Sequence, residues 1–230
     1  MATILVNNVA HGDTRVATTG IQPGDAVNQM LVVPTEFDAA QRDHPILFRR
    51  DGEGAWQAVV LLGLDRDENL HLTATGWDDS YRPAVQRRGP FVIGMGDDGE
   101  PMIRVDPADP RFDVGEGEPL FLPHGGHAPL LEQVAEALRT LHIGVMASEP
   151  MFATIEAAGL FRPVALDIEV DEDTRYTVAD VFAIDGERLA ALDGAALAAL
   201  HEPGFLAPIF AAASSLGNLP RLIALKTARG

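Results

Sequence analysis

The stretch Gly76–Phe91, GWDDSYRPAVQRRGPF, holds the densest set of chemistry-bearing side chains in the chain. It groups Trp77, Tyr81, Arg82, Arg87, Arg88 and Phe91, although the whole sequence has only two tryptophans and two tyrosines. Guanidinium groups offer forked donors that match carboxylate or phosphate oxygens, and aromatic rings supply broad, stiff contact area. These six residues are the candidate ligand-binding set. The alternative for the same residues is structural, with Trp77 and Phe91 in a core and the arginines at helix ends or paired with acids.

Other patterns carry less. His124 and His127 in PHGGHAP lie three apart in a glycine loop leading into a helix. They could ligate a metal with a carboxylate from Asp113, Glu116 or Glu118. Two histidines do not complete a site and no HExxH accompanies them, so a solvated loop is the competing reading. Gly94, Gly96 and Gly99 match GxGxxG in spacing only. Asp97, Asp98 and Glu100 surround them and would repel a pyrophosphate, and the following Pro101–Val105 reads as a strand where that fold needs a helix. A P-loop needs GxxxxGK[ST], and the only lysine is Lys226. The acids of Asp106–Pro110 do not follow a calcium-loop pattern. Ser214 and Ser215 sit in an apolar run, outside any GxSxG. The absence of cysteine removes disulfides, thiolate nucleophiles and cysteine metal sites. The residues therefore name no cofactor.

Charge narrows the partners. With 17 basic against 34 acidic residues the formal net charge is −17, which repels nucleic-acid phosphates and anionic lipid at long range. All basic residues but Lys226 are arginine. A GC-rich genome explains that, as does selective use of planar guanidinium groups for anion recognition. The N-terminus, MATILVNNVAHGD, has neither the basic region nor the apolar stretch of a secretory signal. The uncharged run Pro203–Pro220 approaches the roughly 20 residues of a membrane span but is diluted by Pro208, Ser214, Ser215, Gly217 and Asn218, and reads as buried helix. A cytoplasmic location without a membrane span is the expectation.

The elements that must position these residues alternate between hairpin and helix signals. Pro45–Arg50 and Ala55–Leu64 flank the turn DGEG; Phe91–Met95 and Pro101–Val105 flank GDDGE; Val164–Val170 and Arg175–Phe182 flank DEDT. In the third pair Val164, Leu166, Ile168 and Val170 alternate with Ala165, Asp167 and Glu169, so one face meets a core. Thr35 is placed to cap a short helix through Asp43. His127–Val145 carries Leu130, Leu131, Val134, Leu138 and Leu141 on one stripe, with Pro129 in the first turn. Ser148 is placed to cap a second helix that Gly159 stops. Asp185 and Asp193 read as N-caps of two short helices, and Phe205–Leu216 and Pro220–Arg229 as the last helical runs. Partly segregated strands and helices predict an α+β fold: a β-rich first half with antiparallel hairpins, a helical pair, a further hairpin and C-terminal helices. The chain reads as a single domain, 1–230, with a possible subdomain break in the Pro-, Gly- and acid-rich stretch 106–129.

Several segments together resemble the bacterial SapC family: VPTEFDAAQRDHPILF (Val33–Phe48), LLGLDRDENLHL (Leu61–Leu72), GWDDSYRPAVQRRGPFVIG (Gly76–Gly94), EGEPLF (Glu116–Phe121) and Glu187–Ile223. His44 stands where that family commonly has tyrosine. The resemblance implies a surface-layer association or, in the label peptide-transport component, a transporter; it supplies no catalytic residues. Similar proteins occur beside TonB-dependent receptors, flavin-dependent halogenase-like proteins and cupin-like oxygenases, which implies an accessory or substrate-binding role. A permease needs several spans, and this sequence offers at most one weak candidate.

Three functions are weighed. The first is a soluble accessory protein that binds a peptide, a protein partner or a small molecule through Trp77–Phe91. The second is a non-heme metal enzyme using His124 and His127. The third is a surface-layer structural protein. The alanine-rich C-terminal helices also make a homodimer plausible.

Overall fold

The computed structural model describes residues 3–96, 99–169 and 175–229. Its architecture is α+β, as the segregation of strands and helices predicts. A five-stranded antiparallel sheet runs in the order Phe161–Glu169, Arg175–Ile184, Ile46–Arg50, Trp56–Leu61, Gln29–Val32. The turn between its two middle hairpin strands forms because Asp51 accepts from the backbone N–H groups of Glu53 and Ala55, while Gly54 takes a positive φ. Ile46 then faces Val60 and Phe48 faces Ala58. These four point into a main core, whereas Leu47, Val59 and Leu61 point to the opposite face. Burial on both faces explains why these strands read as nearly continuous apolar runs. The strand Gln29–Val32 carries no turn signal strong enough to expose it in the sequence. In the outer hairpin Val164, Leu166 and Ile168 pack toward the second face, with a bulge between Val164 and Leu166; Val170 and the DEDT turn lie outside the described residues.

The helices Gly186–Ala190, Gly194–His201 and Leu206–Ser215 cover the main core, and Ile209, Ala211 and Ala212 are buried there. Asp185 and Asp193 cap as predicted, accepting from Arg188 N at 3.0 Å and Ala196 N at 2.8 Å. Leu219–Arg229 covers the opposite face through Leu222. Lys226 pins it there, donating to Asp65 Oδ2 at 2.7 Å and Glu68 Oε1 at 2.6 Å. Those bonds raise the lysine pKa and hold the Asp65 carboxyl below its ordinary value.

A separate cluster forms around a three-stranded sheet, Ile4–Leu5, Pro101–Val105 and Phe91–Met95. Phe91 and Val105 pack here against Leu130, Leu131, Val134 and Leu138. The stretch 106–129 carries Phe112, Leu120 and Phe121 into the same cluster, and its strand Glu118–Pro119 pairs with Arg15–Val16.

The expected helical pair is one helix, Pro129–Ala157, with Pro150 in its interior. Ser148 does not cap a new helix; its hydroxyl donates to Gly144 O, one turn back. An interior proline costs about 3 kcal/mol. Met151, Phe152 and Ile155 follow it and are buried in the main core, and each such side chain contributes about 1.5–3 kcal/mol. Burial therefore outweighs the break, and the helix joins the two clusters. The cap at Thr35 is also displaced. A 3₁₀ turn, Pro34–Glu36, leads into Phe37–Ala40, with Val33 at the N-cap and Glu36 reaching back to Val33 N at 3.1 Å.

Thr35 instead donates to Thr140 O on the long helix at 3.0 Å. The close crossing is possible because residue 144 is glycine: a Cβ there would lie 2.2 Å from Val33 Cγ2 and 2.6 Å from Thr35 Oγ1. Gly144→Ala gains about 1 kcal/mol of helix propensity, yet forces the crossing apart. A net loss of up to about 2 kcal/mol is expected by chemical denaturation; a variant more stable than the parent by the full propensity gain would show that the crossing yields without cost.

Candidate functional site

A cavity of about 480 Å³ opens between the segment 16–22, the turn and short helix around Ala84–Arg87, Arg111, and the first turns of the long helix. Val16, Phe91, Leu130 and Val134 form its apolar walls, and Arg82, Arg87 and Arg111 bring three guanidinium groups to it. Two buried acids build the arginine side. Asp25, 1% exposed, accepts from Gln22 N at 2.7 Å and from Gln86 Nε2 at 2.7 Å, and faces Arg82 Nη2 at 3.5 Å. Glu36, also 1% exposed, accepts from Tyr81 Oη at 2.8 Å and Ala84 N at 2.6 Å, besides Val33 N. It thereby ties the Pro34–Glu36 turn to the start of the short helix that carries Arg87. Arg87 Nε donates to Arg82 O at 2.9 Å and its Nη2 to Tyr81 Oη at 3.3 Å. Arg111 grips both oxygens of Asp109, at 2.9 and 2.8 Å.

Two carboxylates, Glu118 and Glu136, also line the cavity, so its three guanidinium groups stand among acids. Burial lowers the pKa of Arg82, and repulsion from Arg111 and Arg87 adds to that against the pull of Asp25. Arg87 has no carboxylate within ion-pair distance among the described residues. Arg82 Nε is buried with no hydrogen-bond partner among the described residues, and a buried donor left unpaired costs about 1–3 kcal/mol. A carboxylate or phosphate matches the fork geometry of the guanidinium groups.

The six residues singled out in the sequence divide by place. Arg82, Arg87 and Phe91 line the cavity, with Phe91 fully buried and edge-on to Phe112 at 6.4 Å. Trp77 and Tyr81 stand behind the lining. Trp77 Nε1 donates to Ser80 Oγ at 3.1 Å, and its ring, packed on the main core, has the Arg82 guanidinium at 5.8 Å. The Tyr81 hydroxyl is held against Glu36; burial, then that carboxyl, push its pKa up. Arg88 turns away, donating to Phe91 O at 2.7 Å, and lies beside Val92, Leu138 and Met146. Arg111, Asp25, Glu36 and Gln86 were not legible as partners. Only the spacing of Glu36 from Val33 gives a local signal, that of a cap.

Beneath the same segment His44 and His71 meet edge to face, their ring centroids 4.5 Å apart and both rings buried. His44 Nε2 lies 2.6 Å from Tyr81 O, and His71 Nδ1 lies 3.3 Å from Asp78 Oδ2. A carbonyl oxygen only accepts, so His44 carries its proton on Nε2 and leaves Nδ1 bare. His44 Nδ1 and His71 Nε2 have no hydrogen-bond partner among the described residues. Burial pushes the His44 pKa down to about 4 and lowers that of His71 as well.

His124 and His127 are exposed in their glycine loop. Glu118 accepts a hydrogen bond from Thr18 Oγ1 at 2.6 Å. Among the described residues no group of three or more His, Asp or Glu side chains is placed to share a metal ion. No single helix among them is long and apolar enough to cross a membrane. Gly194–His201 and Leu206–Arg229 pass together by length and composition but meet at a bend of 99°.

Fold and cavity together define an α+β protein whose arginine-lined cleft is walled by the cluster around the three-stranded sheet and the start of the long helix. The chain belongs to the SapC family, whose model matches residues 6–222 of the 230. No curated protein and no solved structure matches it.

Proposed function

We propose that this SapC-family chain is an accessory binding protein that takes a peptide or small molecule by an oxyanion group, a carboxylate above all, in the cleft of Arg82, Arg87 and Arg111. One observation carries the reading: three guanidinium groups line a cavity with apolar walls, and Arg87 has no carboxylate within ion-pair distance among the described residues, although Glu118 and Glu136 also line the cavity. Guanidiniums, amides and apolar surface in a concavity of this size are the inventory of a recognition site. The net charge of −17 supports a peptide, small molecule or protein partner over nucleic acid.

Calorimetric titration tests this with acetate, succinate, phosphate and an N-acetylated tripeptide bearing either a free or an amidated C-terminus. Oxyanion binding is expected, and Arg87→Ala is expected to weaken it by roughly 10- to 100-fold, the worth of one charge-assisted contact of about 1.5–3 kcal/mol. Arg88→Ala is expected to leave it unchanged, because that side chain faces away from the cavity. If no oxyanion binds, or if Arg87→Ala binds like the parent, the cleft is not the recognition site.

A further inference from the structure

A second concavity of different chemistry lies between the three-stranded sheet and the long helix, along another stripe of that helix. We propose that it binds a medium-chain monocarboxylate, with the alkyl chain against the groove floor and the head group at Arg139 and His142. The helix contributes Leu131, Ala135 and Leu138, and the sheet side faces them with Val6, Ile93 and Ile103, enclosing about 710 Å³. That volume falls within the range of small-ligand pockets, about 300–1,000 Å³. Ala135 is the small residue on the stripe, and its methyl group leaves the gap open.

The rim decides the sign of the ligand. Among the described residues the ionisable ones lining the groove are His127, Arg139 and His142, with no Asp or Glu. Arg139 is free to turn inward. Its contact with Glu136, at 3.3 Å, is between side chains 69% and 61% exposed, and such pairs contribute little. The apolar surface also continues past the groove. Leu138, Ile93 and His142 are shared with a shallower depression that adds Val145 and Met146, 63% and 69% exposed. A chain longer than the groove therefore has apolar surface to follow, and exposed apolar patches of this kind mark binding surfaces.

Dodecanoate titrated into the full chain below its micelle concentration, followed by calorimetry, tests the assignment. Saturable binding is expected, at least 10-fold tighter than for dodecyltrimethylammonium, which has the same chain with a cationic head. Ala135→Phe, which fills the groove, and Arg139→Glu, which reverses the rim charge on an exposed side chain, are each expected to weaken dodecanoate by 10-fold or more. Arg87→Ala is expected to have no effect on it, which separates this groove from the arginine cleft. Circular dichroism and melting establish that the variants are folded; if Ala135→Phe does not fold, Arg139→Glu alone decides. Absence of dodecanoate binding overturns the proposal, as does equal binding of the cationic analogue. So does an acidic amphipathic helical peptide that occupies the groove and that dodecanoate cannot displace, since the surface then serves a protein partner.

Discussion

Glu36→Ala is expected to lower the unfolding free energy by at least about 3 kcal/mol. The carboxyl group accepts from Val33 N, Ala84 N and the Tyr81 hydroxyl, and the residue is 1% exposed. Removing it strands three buried donors, each costing about 1–3 kcal/mol. Glu36→Gln keeps an acceptor for some of them and is expected to fall between the two. Urea denaturation at pH 7 reads the effect as a lower midpoint with an unchanged slope. The damage reaches the cleft as well, because Ala84 N and Tyr81 hold the short helix whose last residue is Arg87. A loss below about 1 kcal/mol would mean that water replaces the carboxyl without cost and that the buried acid does not organise the segment.

Between pH 7 and pH 4 the protein is expected to lose about 3 kcal/mol of stability through His44 alone, with His71 adding in the same direction. Burial lowers the folded pKa of His44 to about 4, against an ordinary value of 6.5. The unfolded chain therefore binds the proton first as pH falls. The stability is complete above pH 6.5 and is lost progressively down to about 4. Asp43, Asp78 and Tyr81 O favour the charged form, while His71 opposes it at His44 and Arg221 opposes it at His71. Desolvation outweighs the favourable partners at both rings. The carboxyls held low, Asp65, Glu68, Asp78 and Asp109, begin to lose their contribution only as pH falls through the ordinary carboxylate range, so the part of the histidine window above about pH 5 is free of them. His44→Gln is expected to flatten the stability curve between pH 6.5 and 4.5, whatever its effect at pH 7. Parallel curves for the parent and this variant would place the titrating group elsewhere.

Local signals made much of this fold legible. DGEG specifies a turn because Asp51 can close it on its own backbone, and Asp185 and Asp193 cap through contacts three residues away. The alternation of Val164, Leu166 and Ile168 marks a face without knowledge of what covers it. The failures are places where distant contacts outvoted local ones. Ser148 reads as the cap of a second helix, but Met151, Phe152 and Ile155 are anchored in a core assembled from the rest of the chain. Thr35 reads as a cap, but its hydroxyl finds Thr140 O on the long helix. The same distinction divides the site. The segment Trp77–Phe91, rich in rings and guanidiniums, places Arg82, Arg87 and Phe91 on the cavity and the other three residues away from its lining. Arg87 and Arg88 are nonetheless chain neighbours that diverge to opposite duties, and only the phase of a short helix tells them apart. Arg111 and Asp25 join the cavity from remote segments, with no spacing rule to announce them.

Side-chain arginine NMR, following the Nε–Hε signals during a succinate titration, addresses the oxyanion cleft directly. The largest shift is expected at Arg87, which lines the cavity with no carboxylate within ion-pair distance among the described residues, with Arg82 and Arg111 moving in step and Arg88 still. A titration in which Arg87 stays fixed while surface arginines drift would contradict recognition at this cleft.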